Sequence, residues 1–398
     1  MATTPADPIV ILSYARTPMG GFQGALAGAS ATELGSAAVA AAVERAGISG
    51  EEVDKIFMGC VLPAGLGQAP ARQAALGAGL PRSVEATTVN KVCGSGMQAA
   101  MFAHDMIASG SADLVVAGGM ESMSNAPYLM KKHRAGARIG HDSVYDHMML
   151  DGLEDAYDSG RAMGTFAEDS AREYQFTRQA QDEYAIESLR RATEAIRSGA
   201  FDRETVPVTV KSRKGEDVVA CDEQPGKSNP EKIPGLKPAF AKDGTITAAN
   251  ASSISDGAAA LVITRESVAE RLGVKPVARI VAHAAHAQAP NLFTTAPVPA
   301  VRKALERAGW DLADVDLWEV NEAFACVAMI AMRDLAIPRE ALNVHGGATA
   351  LGHPIGASGA RLLATLLSAL ETHGQRRGVA TLCIGGGEAT AMAVELMH

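Results

Sequence analysis

The sequence of 398 residues has few cysteines, few aromatic residues and no long apolar run. No apolar run approaches the roughly 20 residues that cross a bilayer, and Met1–Pro8 lacks the charged and apolar regions of a leader peptide. The cysteines form no CxxC pair and no even framework, which favours free thiols in a reducing compartment. They are Cys60, Cys93, Cys221, Cys326 and Cys383. We therefore expect a cytoplasmic protein that does not insert into a membrane.

Positive charge is also scarce, since 36 Lys and Arg face 45 Asp and Glu and the net charge is −9. An acidic chain lacks the electrostatic attraction that nucleic acid or an anionic membrane requires, so we expect neither as a partner. The sequence has no metal-ligand spacing, no GxxxxGK[ST] phosphate loop and no redox-cofactor motif. We expect no bound metal and no tightly bound cofactor.

The chain is rich in apolar residues (47%) and holds 40 glycines, which predicts a large α/β core of two to three domains. Its last third repeats the plan of its first. Leu305–Gly309 matches Val43–Gly47, and Ala357–Gly359 matches Gly94–Gly96 at nearly the same offset. Alternating strands and helices predict a mostly parallel sheet covered by helices. We expect two related halves in pseudo-twofold arrangement, with the site between them.

Apolar periodicity predicts the individual elements. The predicted strands are 9–12, 53–61, 87–89, 113–119 (ending at a glycine pair), 277–281 and 381–384, and the predicted helices are 31–46, 97–108, 178–197 and 361–370. The stretch 205–219 predicts a polar hairpin, and 222–238 a loop rich in Pro and Gly. These boundaries are the expectations for the fold.

Residues 121–250 have no partner in the repeat. We predict an inserted loop domain over 121–250 that covers the site, an N-terminal half over 1–120 with 251–270, and a C-terminal half over 271–398. The best local basic cluster for an anionic ligand consists of Lys211, Arg213, Lys214 and Lys227. A solvated surface explains any single one of these residues equally well.

The stretch Val89–Ala99 predicts a strand, a tight turn and a helix that starts near Cys93. The partial positive charge of a helix N-terminus favours a thiolate and can lower the pKa of a cysteine. Gly94 and Gly96 would let backbone N–H groups approach a bound oxyanion. For this motif alone, a small buried cysteine beside packing glycines is the commoner explanation.

Three later motifs change that balance. The pair Asn321-Glu322 follows a strand, although an isolated pair of this kind is more often a helix cap. His353 lies in the glycine-rich loop 345–361, and histidine exchanges protons readily near neutral pH. Cys383 ends a buried strand before three glycines. Two thiols, a histidine and glycine loops together predict acyl transfer through a cysteine thioester.

At these residues the chain resembles the thiolase family. The motifs are VNKVCGSG around Cys93, NEAF from Asn321, GHP around His353 and CIGGG from Cys383, in the family's order and spacing over essentially the whole chain. The resemblance implies the thiolase fold, with two similar βαβαβαββ halves in a five-layered αβαβα arrangement and an inserted loop domain. It also implies a homo-oligomer, expected to be a tetramer built as a dimer of dimers.

The resemblance implies a role for each motif residue. Cys93 would be the nucleophile that acetyl-CoA acylates, and His353 would activate it. With a water held by Asn321, His353 would also form one oxyanion hole, and the N–H groups of Cys93 and Gly385 would form a second. Cys383 would remove the α-proton of a second acetyl-CoA. The products would be acetoacetyl-CoA and CoA, and the reverse reaction would be thiolysis.

Further residues follow from the same resemblance. Glu322 would support the site from behind Asn321. The residues implied to contact the substrate or CoA are Ser252, Ala251, Met163, Phe293 and Lys227. Ala162 stands where many acetoacetyl-CoA thiolases have a histidine. Phe293 stands where many bacterial members have a methionine, as in some mitochondrial-type acetoacetyl-CoA thiolases, and both positions bear on chain length.

The resemblance leaves three alternatives to a short-chain acetyltransferase. The first is a broad-chain 3-ketoacyl-CoA thiolase of fatty-acid β-oxidation. The second is a ketoacyl synthase, although such enzymes lack the base that Cys383 would supply. The third is a non-catalytic acyl-CoA-binding or lipid-binding member of the fold, against which the joint presence of Cys93, Asn321, His353 and Cys383 argues.

Overall fold

The computed structural model describes residues 7–212 and 215–397. Residues 1–6, part of the segment judged not to be a leader, and Arg213 and Lys214 of the basic cluster lie outside these ranges. The strands are β1 Ile9–Arg16, β2 Gly20–Gly21, β3 Lys55–Gly59, β4 Glu85–Val89, β5 Leu114–Ser122, β6 Tyr128–Leu129, β7 Tyr145–Asp146, β8 Val208–Ser212, β9 Gly215–Val219, β10 Ser255–Arg265, β11 Ala278–Ala287, β12 Leu317–Val320, β13 Arg377–Ile384 and β14 Glu388–Leu396. The helices are α1 Ala31–Ala46, α2 Pro70–Gly77, α3 Ser95–Ala108, α4 Met163–Glu173, α5 Arg178–Ser198, α6 Glu223–Lys227, α7 Glu266–Leu272, α8 Pro297–Ala308, α9 Ala325–Asp334, α10 Ala348–Leu351 and α11 Ser358–His373.

The caps of α1 and α8 show how local sequence sets the repeat. The side chain of Ser30 caps α1 and forms a reciprocal capping box with Glu33. The helix ends at Gly47 in the left-handed conformation (φ 67°). Helix α8 ends in the same way at Gly309 (φ 67°). The matching sequences therefore build matching helix ends, as the repeat predicts.

The strands lie in the order β4-β3-β5-β10-β1-β11-β14-β13-β12, and β2 pairs with β10. The two halves of this order meet only through Val10 and Ile11 of β1, paired with β11. Only β3–β4, β3–β5 and β12–β13 are parallel pairs along this path. The prediction of a mostly parallel sheet is therefore wrong. Strands β13 and β14 are joined by a tight glycine turn, which forces an antiparallel pair, and β10 occupies the equivalent place in the first half.

Five layers stack around this strand order, which confirms the fold expected from the resemblance. Helices α1 and α2 pack on the outer face of the first half, and α8 and α9 pack on the outer face of the second. Helices α3 and α11 fill the middle layer between the inner faces of the two sheets. This layered fold thus arises from three stacked apolar cores in one chain.

Glycines allow the two central helices to meet at their N-termini. A Cβ atom on Gly359 of α11 would lie 2.3 Å from the backbone N of Met97, and one on Gly96 of α3 would lie 2.8 Å from the N of Ala360. No side chain fits at these two positions without moving backbone. The loops that precede α3 and α11 are therefore held close together, and these loops carry Cys93 and His353.

Strand β5 and helix α11 are two of the elements whose boundaries differ from the sequence predictions. Strand β5 continues past Gly118 and Gly119 to Ser122. A Cβ on either glycine would lie within 2.1 Å of a backbone oxygen from a neighbouring element. These glycines serve close packing within the strand. Helix α11 starts at Ser358, ahead of the predicted start at Arg361, and continues to His373.

The region between the halves contains the predicted long helix as α5 and the predicted hairpin as β8–β9. The expected loop 222–238 also holds the short helix α6. The limits of an inserted domain over 121–250 stay a prediction. Within the described residues, no helix has the length and apolar character needed to cross a membrane.

Candidate active site

One cavity of about 420 Å³ lies where the two halves and the intervening region meet. Cys93 reaches it from the first half, and His353, Cys383 and Gly385 reach it from the second. Most of its wall is apolar. The other lining residues are Met123, Met149, Gly152, Leu153, Ala162, Met163, Gly164, Ala239, Phe240, Thr247, Ala248, Ala251, Ser252, Ser253, Ile254, Phe293, Ala323, Phe324 and Ile355.

Cys93 lies on a strained turn between β4 and α3. The preceding residue, Val92, has a φ of 45°, a left-handed conformation that β-branched side chains rarely adopt. Ser95 holds this turn, because its hydroxyl donates to the Val92 oxygen at 2.6 Å and accepts from the Lys91 N–H at 2.8 Å. This turn places Cys93 in the cavity wall, two residues before the first residue of α3.

The resting state of Cys93 is a neutral thiol. Burial raises its pKa to about 11, although the backbone N–H groups of Gly385 and of Cys93 itself point toward the sulfur and oppose the rise. The prediction that the helix N-terminus lowers this pKa is wrong, because the loss of solvation outweighs the helix charge. The two N–H groups are nevertheless hydrogen-bond donors directed at the Cys93 sulfur.

Burial, together with the nearby Arg361 guanidinium, lowers the pKa of His353 to about 3, so its imidazole is neutral. Its Nδ1 lies 2.5 Å from the Ser358 hydroxyl, which donates its own proton to the Pro354 oxygen at 2.8 Å. Since the Ser358 hydrogen is used in that bond, Nδ1 is the donor to Ser358. The Nε2 atom therefore carries the lone pair and can accept a proton.

Sequence reasoning gave Ser358 no functional role. The available signal was its match to Ser95 in the repeat, since each serine lies at the N-terminus of a central helix and holds the loop before it. In the first half the serine fixes the turn of the thiol. In the second half it fixes the tautomer of the histidine.

Asn321 is not a helix cap, because α9 starts at Ala325 after Phe324. Its amide Nδ2 lies 3.3 Å from the His353 Nε2 and donates toward it. The side chain is fully buried, outside the residues that form the cavity wall. Asn321 and His353 are thus brought together as the motifs predict.

The neighbouring Glu322 is buried and accepts five hydrogen bonds. The donors are the hydroxyls of Tyr184 (2.9 Å), Ser188 (2.8 Å) and Thr349 (2.7 Å), the N–H of Thr349 (3.1 Å) and Nδ2 of Asn343 (2.8 Å). This carboxylate ties α5 and the loop after β12 to the segment that leads to His353. Glu322 therefore links these segments from outside the cavity wall.

Cys383 lies at the end of β13 and is 1% exposed. Burial raises its pKa well above the ordinary value, and the nearby Cys93 and Cys326 sulfurs add to this rise. Its neighbours in the apolar cluster include Phe293 and Phe324. All five cysteines, each among the described residues, are free thiols.

The predicted substrate residues divide into two groups. Ala251, Ser252, Met163 and Phe293 all line the cavity, and the Ser252 hydroxyl donates to the Ala323 oxygen at 2.9 Å. Lys227 is not in the cavity wall, and its ammonium pairs with Glu223 on α6.

Lys211, also predicted as part of the basic cluster, is absent from the cavity wall as well. It pairs with Glu216 across the β8–β9 hairpin. The structure does not bring the described members of that cluster to the site.

Glu121 is a further residue that the sequence motifs missed. It is fully buried at the end of β5 and accepts the N–H groups of Val61, Leu62 and Gly356. Burial raises its pKa to about 7. Through Gly356 it fixes the His353 loop against the first half. Nothing in the local sequence distinguishes this acid, because all of its partners are distant in the chain.

Comparison with known proteins agrees with this geometry. The family model described as thiolase, N-terminal domain, matches residues 9–267, and thiolase, C-terminal domain, matches residues 274–396. An acetyl-CoA acetyltransferase of Escherichia coli (strain K12) is 51% identical over 98% of this chain and 99% of its own length.

Two further proteins are similar over nearly their whole length. Acetyl-CoA acetyltransferase 2 of Arabidopsis thaliana is 50% identical over 100% of this chain and 98% of its own. The crystal structure of the Bacillus anthracis acetyl-CoA acetyltransferase superposes with a TM-score of 0.96 at 41% identity, over 99% of this chain and 100% of that chain. The similarity therefore includes both halves and the region between them.

Proposed function

Because this chain belongs to the thiolase family, we propose that it is an acetyl-CoA acetyltransferase. It condenses two molecules of acetyl-CoA to acetoacetyl-CoA and CoA, and it catalyses the reverse thiolysis. The observation that carries this proposal is that Cys93, His353 and Cys383 line a single cavity. The names of relatives near 50% identity support acetyl-CoA as the substrate.

In the first half-reaction, the Nε2 atom of His353 takes the proton of the Cys93 thiol as its sulfur attacks the thioester carbon. The bond between that carbon and the CoA sulfur breaks. CoA leaves as a thiol with a proton from Cys383, which becomes a thiolate, and Cys93 carries the acetyl group. While His353 holds the Cys93 proton on Nε2, this N–H and a water held by the amide of Asn321 stabilise the oxygen of the incoming thioester.

In the second half-reaction, the Cys383 thiolate removes an α-proton from a second acetyl-CoA. The resulting carbanion attacks the acetyl carbon on Cys93, and the bond from that carbon to the Cys93 sulfur breaks. Acetoacetyl-CoA forms, Cys383 is again a thiol, and His353 returns its proton to Cys93. The N–H groups of Cys93 and Gly385 stabilise the oxyanion of this step, where one such donor is worth roughly 3–4 kcal/mol.

The acid–base states of the site support this sequence. His353 is neutral because its buried position lowers its pKa to about 3, so its Nε2 lone pair is free over the whole physiological range. Both thiols are protonated at rest because burial raises their pKa values. The chemistry uses the CoA thioesters themselves, and no step requires a bound metal or redox cofactor.

Short-chain specificity is part of the proposal. Phe293 and Phe324 lie beside Cys383, with ring centroids 6.4 Å apart, and Met163 lies in the same cluster. Bulky side chains at the reacting end restrict the room for an acyl chain. A broad-chain 3-ketoacyl-CoA thiolase is the alternative, and rapid thiolysis of long 3-ketoacyl-CoA would favour it.

The experiment that tests the mechanism is mass spectrometry after incubation with acetyl-CoA. We expect one acetyl adduct, located on Cys93 and absent in Cys93→Ser. Cys221→Ser is the matched control, since Cys221 is exposed and outside the cavity, and it should retain the adduct. An unmodified Cys93 in active protein would refute the mechanism.

Three further expectations stay proposals. We place the enzyme in the cytoplasm. We expect a homotetramer that is a dimer of dimers. We assign Ser252 and Ala251 to contact with CoA because both line the cavity. Sedimentation equilibrium tests the assembly. Comparing KM for CoA in Ser252→Ala with that in Lys227→Ala tests the contact, and we expect a larger increase for Ser252→Ala.

A further inference from the structure

A histidine pair and an aspartate meet at the side of the central layer, away from the cavity. His104 and Asp105 belong to α3, and His283 belongs to β11 of the other half. The Nε2 atom of His283 lies 3.1 Å from Nδ1 of His104 and 3.0 Å from Oδ1 of Asp105, and these last two atoms are 3.0 Å apart. Three ligand-type atoms therefore form a nearly equilateral triangle.

Hydrogen bonding alone explains this triangle poorly. Two imidazole nitrogens face each other while both face the same carboxylate oxygen, so the two protons that would satisfy the carboxylate would also repel each other. The rings are nearly perpendicular, at 82°, with centroids 4.7 Å apart, and are not stacked. Among the described residues, Nδ1 of His283 has no partner, so the cluster alone orients that ring.

The spacing matches one face of an octahedral metal site. Neighbouring ligand atoms of an octahedral ion with bonds of about 2.1 Å are about 3.0 Å apart, so such an ion would lie about 1.2 Å above the triangle. Two imidazoles and one carboxylate on one face, with the other positions open, are a set that divalent transition metals accept. We propose that His104, Asp105 and His283 form a site for a divalent transition cation with an octahedral ligand set, for which Co²⁺ and Zn²⁺ serve as probes.

The surroundings permit such an ion to enter. The side chains of His104, Asp105 and His283 are 22%, 60% and 12% exposed, so one side of the triangle is open to water ligands. The guanidinium of Arg307 donates to the backbone oxygen of His283 at 2.7 Å and is the nearby opposing charge. The Asp105 carboxylate balances it. An ion here would link the helix that follows Cys93 to the sheet of the other half.

The test is metal binding to the full-length protein after treatment with a chelator. We expect calorimetry with Zn²⁺ to show one more equivalent bound per chain in the wild type than in His283→Gln. Asp105→Asn, at a largely exposed position, should fold normally and lose at least tenfold in affinity. His286→Gln is the matched control on the same strand, since His286 contacts Gln288 and Lys303 instead, and it should bind as the wild type does.

Cobalt distinguishes this site from the cysteines of the active site. Co²⁺ on imidazole and carboxylate gives only weak ligand-field bands, whereas Co²⁺ on a thiolate adds an intense charge-transfer band. We expect the weak bands in the wild type and their loss in Asp105→Asn. Zn²⁺ should also raise the melting temperature of the wild type and not that of Asp105→Asn. Equal binding by all variants, or thiolate bands alone, would overturn the proposal.

Discussion

Glu322 offers the most direct test of how the site is held. In Glu322→Gln the side chain keeps its size, but one of its two accepting oxygens becomes an NH₂ group. Tyr184 can turn its hydroxyl away. Asn343 cannot turn, because its amide is fixed by two 2.8 Å hydrogen bonds to the backbone of Val320, and the N–H of Thr349 is part of the chain. In one orientation the glutamine NH₂ group therefore faces Nδ2 of Asn343, and in the other it faces the backbone N–H of Thr349.

The magnitude follows from this geometry. The blocked donor costs about 1–3 kcal/mol, and the remaining bonds lose the extra strength that a charged acceptor gives, about 0.5–1 kcal/mol each. We expect the free energy of unfolding to fall by about 3–5 kcal/mol. With an unfolding entropy of about 2.1 cal/mol/K per residue, a chain of 398 residues would then melt about 4–6 °C lower.

Thermal and urea unfolding at one protein concentration provide the assay, since oligomers change stability with concentration. Tyr184→Phe removes a single donor and should cost only about 1 kcal/mol. Glu340→Gln removes the same charge at an exposed position, and its free energy of unfolding should stay within about 0.5 kcal/mol of the wild-type value. In Glu322→Gln we expect kcat to fall and KM to change little, because Glu322 is outside the cavity wall. A loss no larger than that of Tyr184→Phe would refute the reasoning.

Three more predictions follow from the cavity and its surroundings. Cys383→Ala should keep the acetyl adduct on Cys93 and lose at least ~10²-fold in condensation rate, and loss of the adduct would contradict the assigned roles. Burial lowers the pKa of His345 to about 4, so below pH 6.5 the unfolded chain binds a proton at this histidine and the folded chain does not, and the free energy of unfolding falls as the pH falls. Between about pH 7 and pH 4.5, urea unfolding of the wild type should show about 2–3 kcal/mol of loss that His345→Gln lacks. Parallel pH curves for the two proteins would contradict this prediction. Phe293→Ala should raise thiolysis of longer 3-ketoacyl-CoA over acetoacetyl-CoA by roughly tenfold, whereas Leu292→Ala, outside the cavity wall, should leave the ratio unchanged.

Local signals predicted much of this molecule because several elements are determined within a few residues. Apolar periodicity predicted α1, and in the structure the capping box of Ser30 and the left-handed Gly47 set its two ends. Apolar periodicity also predicted α5. The motifs around Cys93, His353 and Cys383 identified the residues that converge on the cavity, and the repeat identified the helix ends that bring two of them together.

What the sequence could not supply depends on partners far along the chain. The direction of β10 depends on its pairing with both β1 and β5, and nothing within its own residues specifies that pairing. Gly118 and Gly119 have the composition of a turn, but neighbouring backbone makes them packing positions within a strand. His104 and His283 lie 179 residues apart, beyond any spacing that a metal motif would show.

The raised pKa of Cys93 changes how the chemistry must be explained. A thiolate stored beside a cationic histidine would require a thiol pKa below that of the imidazole, whereas burial places them near 11 and 3. The free site therefore holds no ion pair, and its apolar wall would destabilise one. In the proposed mechanism, proton transfer to His353 accompanies bond formation, when the negative charge moves from sulfur to the substrate oxygen. His353 and the water held by Asn321 would receive that charge, so donors placed in advance, and not a stored thiolate, would account for the reactivity.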